Sequence, residues 1–321
     1  MQHDPAQEAR FRDIFRAAHA YHAECVADEW LDAPCRERDG REAARPIVWS
    51  RRNGPWRRVP VLWVGAAPGN AGGLGTGNLG AHGTRIPFGG DIAGGNLDVL
   101  LSSIGMDRNG TFLVAASNQL PERGGGEPTT RELAAPVGRY PDSGALLRDT
   151  VIATAPDLIV ALGNVALRAL IAALTRPCTA VAGNPPDAVP PLRLPGTARL
   201  SAAGLVRGSP AAWPDAFPLD PGFASAWRNA WGSEPDFSVL PLLHPSAQNM
   251  SPFAGATTLF HTRMVDTRTA LMDAVRIVLR REPPDPRPHF PDTGIYALPE
   301  WRGRVAERHA RYDHLWRSKG I

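Results

Sequence analysis

A chain of 321 residues that is 43% hydrophobic can bury one large core, so its 32 prolines and 32 glycines mean long ordered loops rather than disorder. Its 35 basic residues are all arginine except Lys319, with a net charge of +3 and a pI near 9.0. A P-loop needs a lysine behind its glycines and Schiff-base chemistry needs one in the site, and Lys319, close to the end of the sequence, suits neither.

The arginine bias fits a GC-rich genome and is weak evidence for nucleic acid by itself. Cys25, Cys35 and Cys178 form no CxxC pair, which fits a reduced cytosol and gives no metal pattern. The opening MQHDPAQEARFRD has no apolar run of the signal-peptide kind. The longest apolar region, Val151 to Leu174, contains Pro156, Asp157 and Arg168, and reads as strand plus helix, not as a membrane span.

In chain order, residues 1–58 read as an N-terminal helical extension with an apolar stripe of Phe11, Ile14, Phe15 and Ala18. Four apolar runs then read as buried parallel strands: Val59–Gly65, Thr111–Ser117, Asp157–Gly163 and Phe237–Leu243. Helices are expected over Asn96–Ser103, Gly144–Ala155, Asn164–Leu174 and Val265–Arg280. The alternation predicts a three-layer α/β/α sandwich around a four-stranded, mostly parallel sheet, spanning residues 59–282. The Pro-, Gly- and Trp-rich stretch 177–236 reads as an insertion packed on that domain, and 283–321 as a basic tail. Ligands of such sheets bind beyond the carboxyl ends of the strands, where the segments after Gly65, Ser117 and Leu243 converge.

Between Gly65 and Gly95, 12 of 31 residues are glycine, and Gly75–Gly80 spells the G-x-G-x-x-G dinucleotide fingerprint. That fingerprint turns the chain directly out of its strand into a helix that receives the pyrophosphate. Here it begins ten residues after the strand, no helix-forming run starts at Gly80, and the expected acid after the next strand is missing. The cofactor reading is therefore poor. The same loop carries Phe88 and Asp91 amid glycines that let a ligand approach the backbone, an arrangement suited to a flat heterocycle stacked on a ring. Phe88 as a core residue and Asp91 as a helix cap are the structural alternatives.

The last strand is followed by HPSAQN, residues 244–249. His244 at a strand's carboxyl end faces the crevice, Pro245 fixes the turn, and Ser246, Gln248 and Asn249 suit phosphate oxygens. A Ser–His hydrolase fails, because Ser246 lies two residues from His244 and no G-x-S-x-G elbow exists. Asn118, after the second strand, has the paired donor and acceptor that match the N3–H/O4 edge of uracil, although a turn-forming Asn is the commoner fate there.

Together these pieces resemble the uracil-DNA glycosylase superfamily. VGAAPG looks like its first motif, HPS like its second, and the Gln-Asn that follows is nearest the family 5 (type B) enzymes. RIPFGGDIAGGNLDVLL, EPTTRELAAP, DLIVALGNVALRAL and HTRMVDTRTALMDAVRIV are similar to further family 4/5 segments, in order, over about Val59–Leu174 and Phe237–Arg280. The resemblance implies removal of uracil from DNA by hydrolysis of the N-glycosidic bond, leaving an abasic site and free uracil. It implies that the Ala66 amide contacts uracil O2, Phe88 stacks on the flipped base, Asn118 reads its edge and His244 bonds O2. Asp91 would stabilise the sugar cation and orient water, with Asn70 as the alternative water-positioning group. Gly69, Ser246, Gln248, Asn249 and Arg263 would face the DNA, and Ser251–His261 would wedge into the duplex.

Two departures stand out. Ala66 and Ala67 occupy motif positions where other members carry an acid or Asn, and the third and fourth cysteines of the family 4/5 iron–sulfur cluster fall at or beside Asn118 and Pro136. The expectation is no metal, no cofactor and no membrane partner, in a monomeric, nucleoid-associated cytoplasmic bacterial enzyme. A binder of uracil or abasic DNA with little turnover is the non-enzymatic alternative.

Overall fold

In the computed structural model the described residues are 9–10, 13–14, 41–43, 47–48, 59–67, 70–73, 92–106, 112–117, 121, 127–137, 139–176, 211–212, 219–246, 249–250 and 258–283. Residues 41–43, 47–48, 70–73, 92, 95, 211–212, 258 and 261 are described by backbone alone.

Four parallel strands form the centre: β3 (Val61–Gly65), β5 (Phe112–Ala115), β6 (Leu158–Leu162) and β8 (Ser238–Leu242). They lie in the order β5-β3-β6-β8, so the chain runs out to one side and then crosses back. Successive strand residues face opposite sides of a sheet, yet every residue of β6 is fully buried, so both faces are covered. That is why the strands read as unbroken apolar runs. The expected α/β/α arrangement is present.

Two-residue antiparallel strands close the edges: β2 (Ile47–Val48) on β5 and β7 (Ala211–Ala212) on β8. Such short flanks remove the long open edge that invites pairing with another chain. β7 reaches only Ser238 and Val239, so Pro241 in β8, which lacks an N–H, sits beyond it. A separate two-stranded sheet joins β1 (Arg41–Ala43) to β4 (Asn70–Gly73). Two strands thus lie within a stretch whose composition read as helical.

The helices are α1 (Ile92–Ser103), α2 (Thr130–Leu133), α3 (Ser143–Thr154), α4 (Asn164–Thr175), α5 (Pro221–Trp231) and α6 (Thr258–Leu279). α3 packs on α4 and α5, and α4 lies on the sheet; α1 packs on α6, which lies on β6 and β8. The P-T-x-x-E sequence starts α2 through a capping box. Thr129 Oγ1 accepts from Glu132 N at 3.2 Å, and Glu132 Oε2 accepts from Thr129 N at 2.6 Å. Asp142 caps α3 by accepting from Ala145 N at 2.7 Å.

The N-terminal stretch is anchored on this body. Ile14 is fully buried in the core, and Arg10 pairs with Asp149 of α3, which also accepts from the Tyr140 hydroxyl at 2.5 Å. Part of the 177–236 stretch is likewise built into the fold. Asp220 caps α5, Phe223 and Trp227 pack with Phe237, and Trp231 Nε1 donates to Ile152 O at 2.6 Å. Arg148 of α3 reaches across to Asp220 Oδ2 at 2.5 Å and to Arg176 O at 3.0 Å, while Asp220 N donates to Leu174 O at 2.9 Å. One guanidinium therefore joins the end of α4 to the start of α5.

Candidate active site

Because the four central strands are parallel, their carboxyl ends share one edge, and the candidate groups are best taken strand by strand. Past β3, the carbonyls of Gly65 and Ala66 accept from Ala116 N and Ser117 N, each at 2.9 Å. The β3–β5 pairing thus continues past both strands' ends. Ala66 is partly exposed, Ser117 is fully buried, and Asn118 follows immediately in sequence.

Past β6 and β8 the backbones meet again, with Gly163 N donating to Leu242 O at 2.8 Å. Gly163 has φ +90°, and a Cβ there would come within 3.0 Å of His244 Cβ. Glycine is required twice over: for a backbone conformation other residues avoid, and for the space in which His244 stands.

His244 opens a turn in which every described carbonyl at residues 244–246, and that of residue 250, has a donor. Asn249 Nδ2 donates to His244 O at 3.0 Å; Asn249 N and Met250 N both donate to Ser246 O, at 3.0 and 3.1 Å. From α1, Asn96 Nδ2 donates to Pro245 O at 2.7 Å and to Met250 O at 3.2 Å. Asn96 is only 1% exposed, so these are buried bonds joining residues about 150 apart in sequence. An amide pinned at both ends of a turn leaves the turn little freedom.

α1 begins at Ile92, one residue after Asp91. At 1.5 Å rise per residue, Ile92 and Asn96 are about 6 Å apart along the helix axis. The helix that follows Asp91 is therefore the helix that holds the turn of His244. Neither Asn96 nor Gly163 stood out in the sequence as part of a site. The available signal was an Asn set among Leu97, Leu100 and Leu101, since a polar side chain on an apolar helix face needs a specific partner.

Of the remaining expected residues, Gly69, Phe88, Asp91, Asn118 and Gln248 lie outside the described residues. Asn70 is described by backbone alone; it opens β4 opposite Ala43. Ser246 and Asn249 are partly exposed, and Asn249's amide nitrogen is turned into the loop. Arg263, in the second turn of α6, lies over the Phe260 ring at 5.7 Å, and its buried Nε has no hydrogen-bond partner among the described residues. Leu259, beside Phe260, is 55% exposed.

The arrangement offers a histidine on a braced turn and the partly exposed Ala66 at one end of a parallel sheet, with an acid encoded directly before the bracing helix. Among the described residues no cluster of His, Cys, Asp or Glu could hold a metal ion, and no helix is long and apolar enough to cross a membrane. No curated protein matches the chain. Residues 53–267, well over half of the chain, match the family model of the Uracil DNA glycosylase superfamily, and the chain belongs to that superfamily.

Proposed function

We propose that the protein removes uracil from DNA by hydrolysing its N-glycosidic bond. The observation that carries this reading is the braced His244 turn, set at the same sheet edge as Ala66. In the reaction the C1′–N1 bond breaks, its electron pair leaves with uracil as the N1 anion, and the sugar becomes an oxocarbenium ion. Water then adds to C1′ and loses a proton, and the uracil anion takes up one from solvent, so the products are neutral uracil and an abasic sugar. Donors aimed at uracil O2 stabilise the charge as it develops, each by roughly 2–4 kcal/mol on the scale of oxyanion-hole groups. His244 and the Ala66 amide fill that role.

Phe88 stacks on the extruded base and Asn118 reads its edge. Extrusion costs a few kcal/mol, least in single strands and mismatches. Asp91 stabilises the sugar cation and orients the water, with Asn70 as the alternative for the second task. Gly69, Ser246, Gln248 and Arg263 meet the phosphates, while Asn249 shapes the turn. Leu259, exposed at the start of α6 after the 251–257 segment, suits a wedge into the gap left by the base.

The chain has one lysine, Lys319, and none within the matched segments to form a Schiff base with the sugar, which supports an intact abasic strand as the product. A four-cysteine cluster does not fit a chain with three cysteines. Ala66 and Ala67, standing where other members carry an acid or Asn, favour one second reading: a binder of uracil or abasic DNA with little turnover.

A labelled uracil oligonucleotide separates the two. The proposal expects free uracil in solution and strand cleavage only after alkali. Tight binding without release of uracil supports the binder, and cleavage without alkali contradicts the monofunctional mechanism.

A further inference from the structure

We infer that Asn96 is a positioning residue for His244, and that through it the α1 helix sets the geometry of the H-P-S turn. This rests on the reading of His244 as the group that meets uracil O2. Asn96 is a poor choice for a helix interior on local grounds, since its side chain competes for backbone hydrogen bonds. Here the carboxamide instead crosses to another element and bonds the carbonyls at both ends of the turn, Pro245 and Met250. An amide nitrogen has two donor hydrogens, and both have an acceptor in this geometry.

Two further restraints act on the same turn. Asn249 Nδ2 closes it from within onto His244 O, and the Gly163 backbone backs His244 from β6. Asn96 is the member that comes from outside the β6–β8 pair. It ties the turn to the helix that starts immediately after Asp91. The helix that follows Asp91 in sequence and the turn that carries His244 are thereby joined, although 153 positions separate those two residues in sequence. A misplacement of about 1 Å at a reacting group costs on the order of 100-fold in rate, so a brace of this kind bears on turnover more than on DNA binding.

The test uses Asn96→Leu, close in size and compatible with the apolar face of α1, and Asn96→Ser, which keeps one donor on a shorter stem. Amide hydrogen exchange reads the brace without reference to activity. Exchange at Asn249 and Met250 is expected to speed up about tenfold in Asn96→Leu while α4 and β6 amides stay protected. Single-turnover uracil release is expected to fall about 30-fold, with oligonucleotide Kd within about threefold of wild type and Asn96→Ser in between. In a His244→Ala background the same substitution is expected to cost less than about twofold, because its effect is exerted through His244.

Unchanged exchange at Asn249 and Met250, or an equal loss of rate in the His244→Ala background, overturns the inference. Should Asn96→Leu fail to fold, the same readings on Asn96→Ser decide it. If the wild type releases no uracil, the proposed function fails, and hydrogen exchange still decides whether Asn96 holds the turn.

Discussion

Two buried polar side chains each hold a distant piece of chain in this protein, and they do it differently. Asn96 is neutral, bonds the backbone carbonyls of Pro245 and Met250, and fixes the turn carrying His244 at the carboxyl edge of the sheet. Arg148 is charged, pairs with Asp220, bonds Arg176 O and lies 5.6 Å from the Phe223 ring, fastening the end of α4 to the start of α5. A neutral amide places a turn without leaving a charge beside a site where the proposed reaction develops negative charge. A buried ion pair fastens two helices, but it leaves an uncompensated charge if either member is lost. The contrast separates stability from activity: the first brace is expected to govern turnover, the second to govern folding.

That separation can be attacked from several sides. The largest effect is expected at the chemistry. His244→Ala should slow single-turnover uracil release by about 10²–10³-fold with little change in thermal midpoint, and Asp91→Ala should slow it comparably. Thermal denaturation alongside the rate assay checks both. Next comes Arg148→Ala, expected to destabilise the fold by about 3–5 kcal/mol in denaturant titrations while the rate per folded molecule stays near wild type. A folded Arg148→Ala protein that has lost turnover would erase the distinction.

Gly163→Ala lies between the two classes, because it strains a positive-φ position and pushes on His244. It should cost about 1–3 kcal/mol of stability and about tenfold in rate; a Gly163→Ala protein with normal turnover would mean that His244 is not held from behind. The smallest effect belongs to Tyr140, which bonds Asp149 of α3. Burial first, and then its hydrogen bond to Asp149, raise its hydroxyl above the ordinary value of 10.0. The folded state thus favours the protonated phenol, a contribution fully present below about pH 10 and lost as pH rises through the folded value. Stability measured across alkaline pH should fall more steeply for wild type than for Tyr140→Phe, and parallel curves would remove Tyr140 from the account.

The sheet was legible because burial on both faces leaves an unmistakable pattern. VLWVG, FLVA and LIVAL contain no polar residue, and SVLPL has one, at its outer end. α3 was legible as a helix over Gly144–Ala155, one residue from the observed Ser143–Thr154, whereas α2 entered only through the resemblance of EPTTRELAAP to a family segment. The edge strands were not legible. Ala211–Ala212 and Ile47–Val48 are too short to show a period, and they form only because the sheet offers them an edge. α5 was hidden because its buried side, Phe223 and Trp227, is two residues in a Pro- and Gly-rich stretch. At the site, the identity and strand-end position of His244 could be read directly. What holds it could not, since the bonds of Asn96 span 149 and 154 residues and no local pattern records them.

A crystal structure with uracil bound tests the central claim most directly. The account predicts the base at the carboxyl ends of β3 and β8, with O2 within about 2.7–3.2 Å of both the His244 imidazole and the Ala66 amide nitrogen. Uracil bound elsewhere on the molecule, or bound at this edge with His244 turned away from O2, would contradict it.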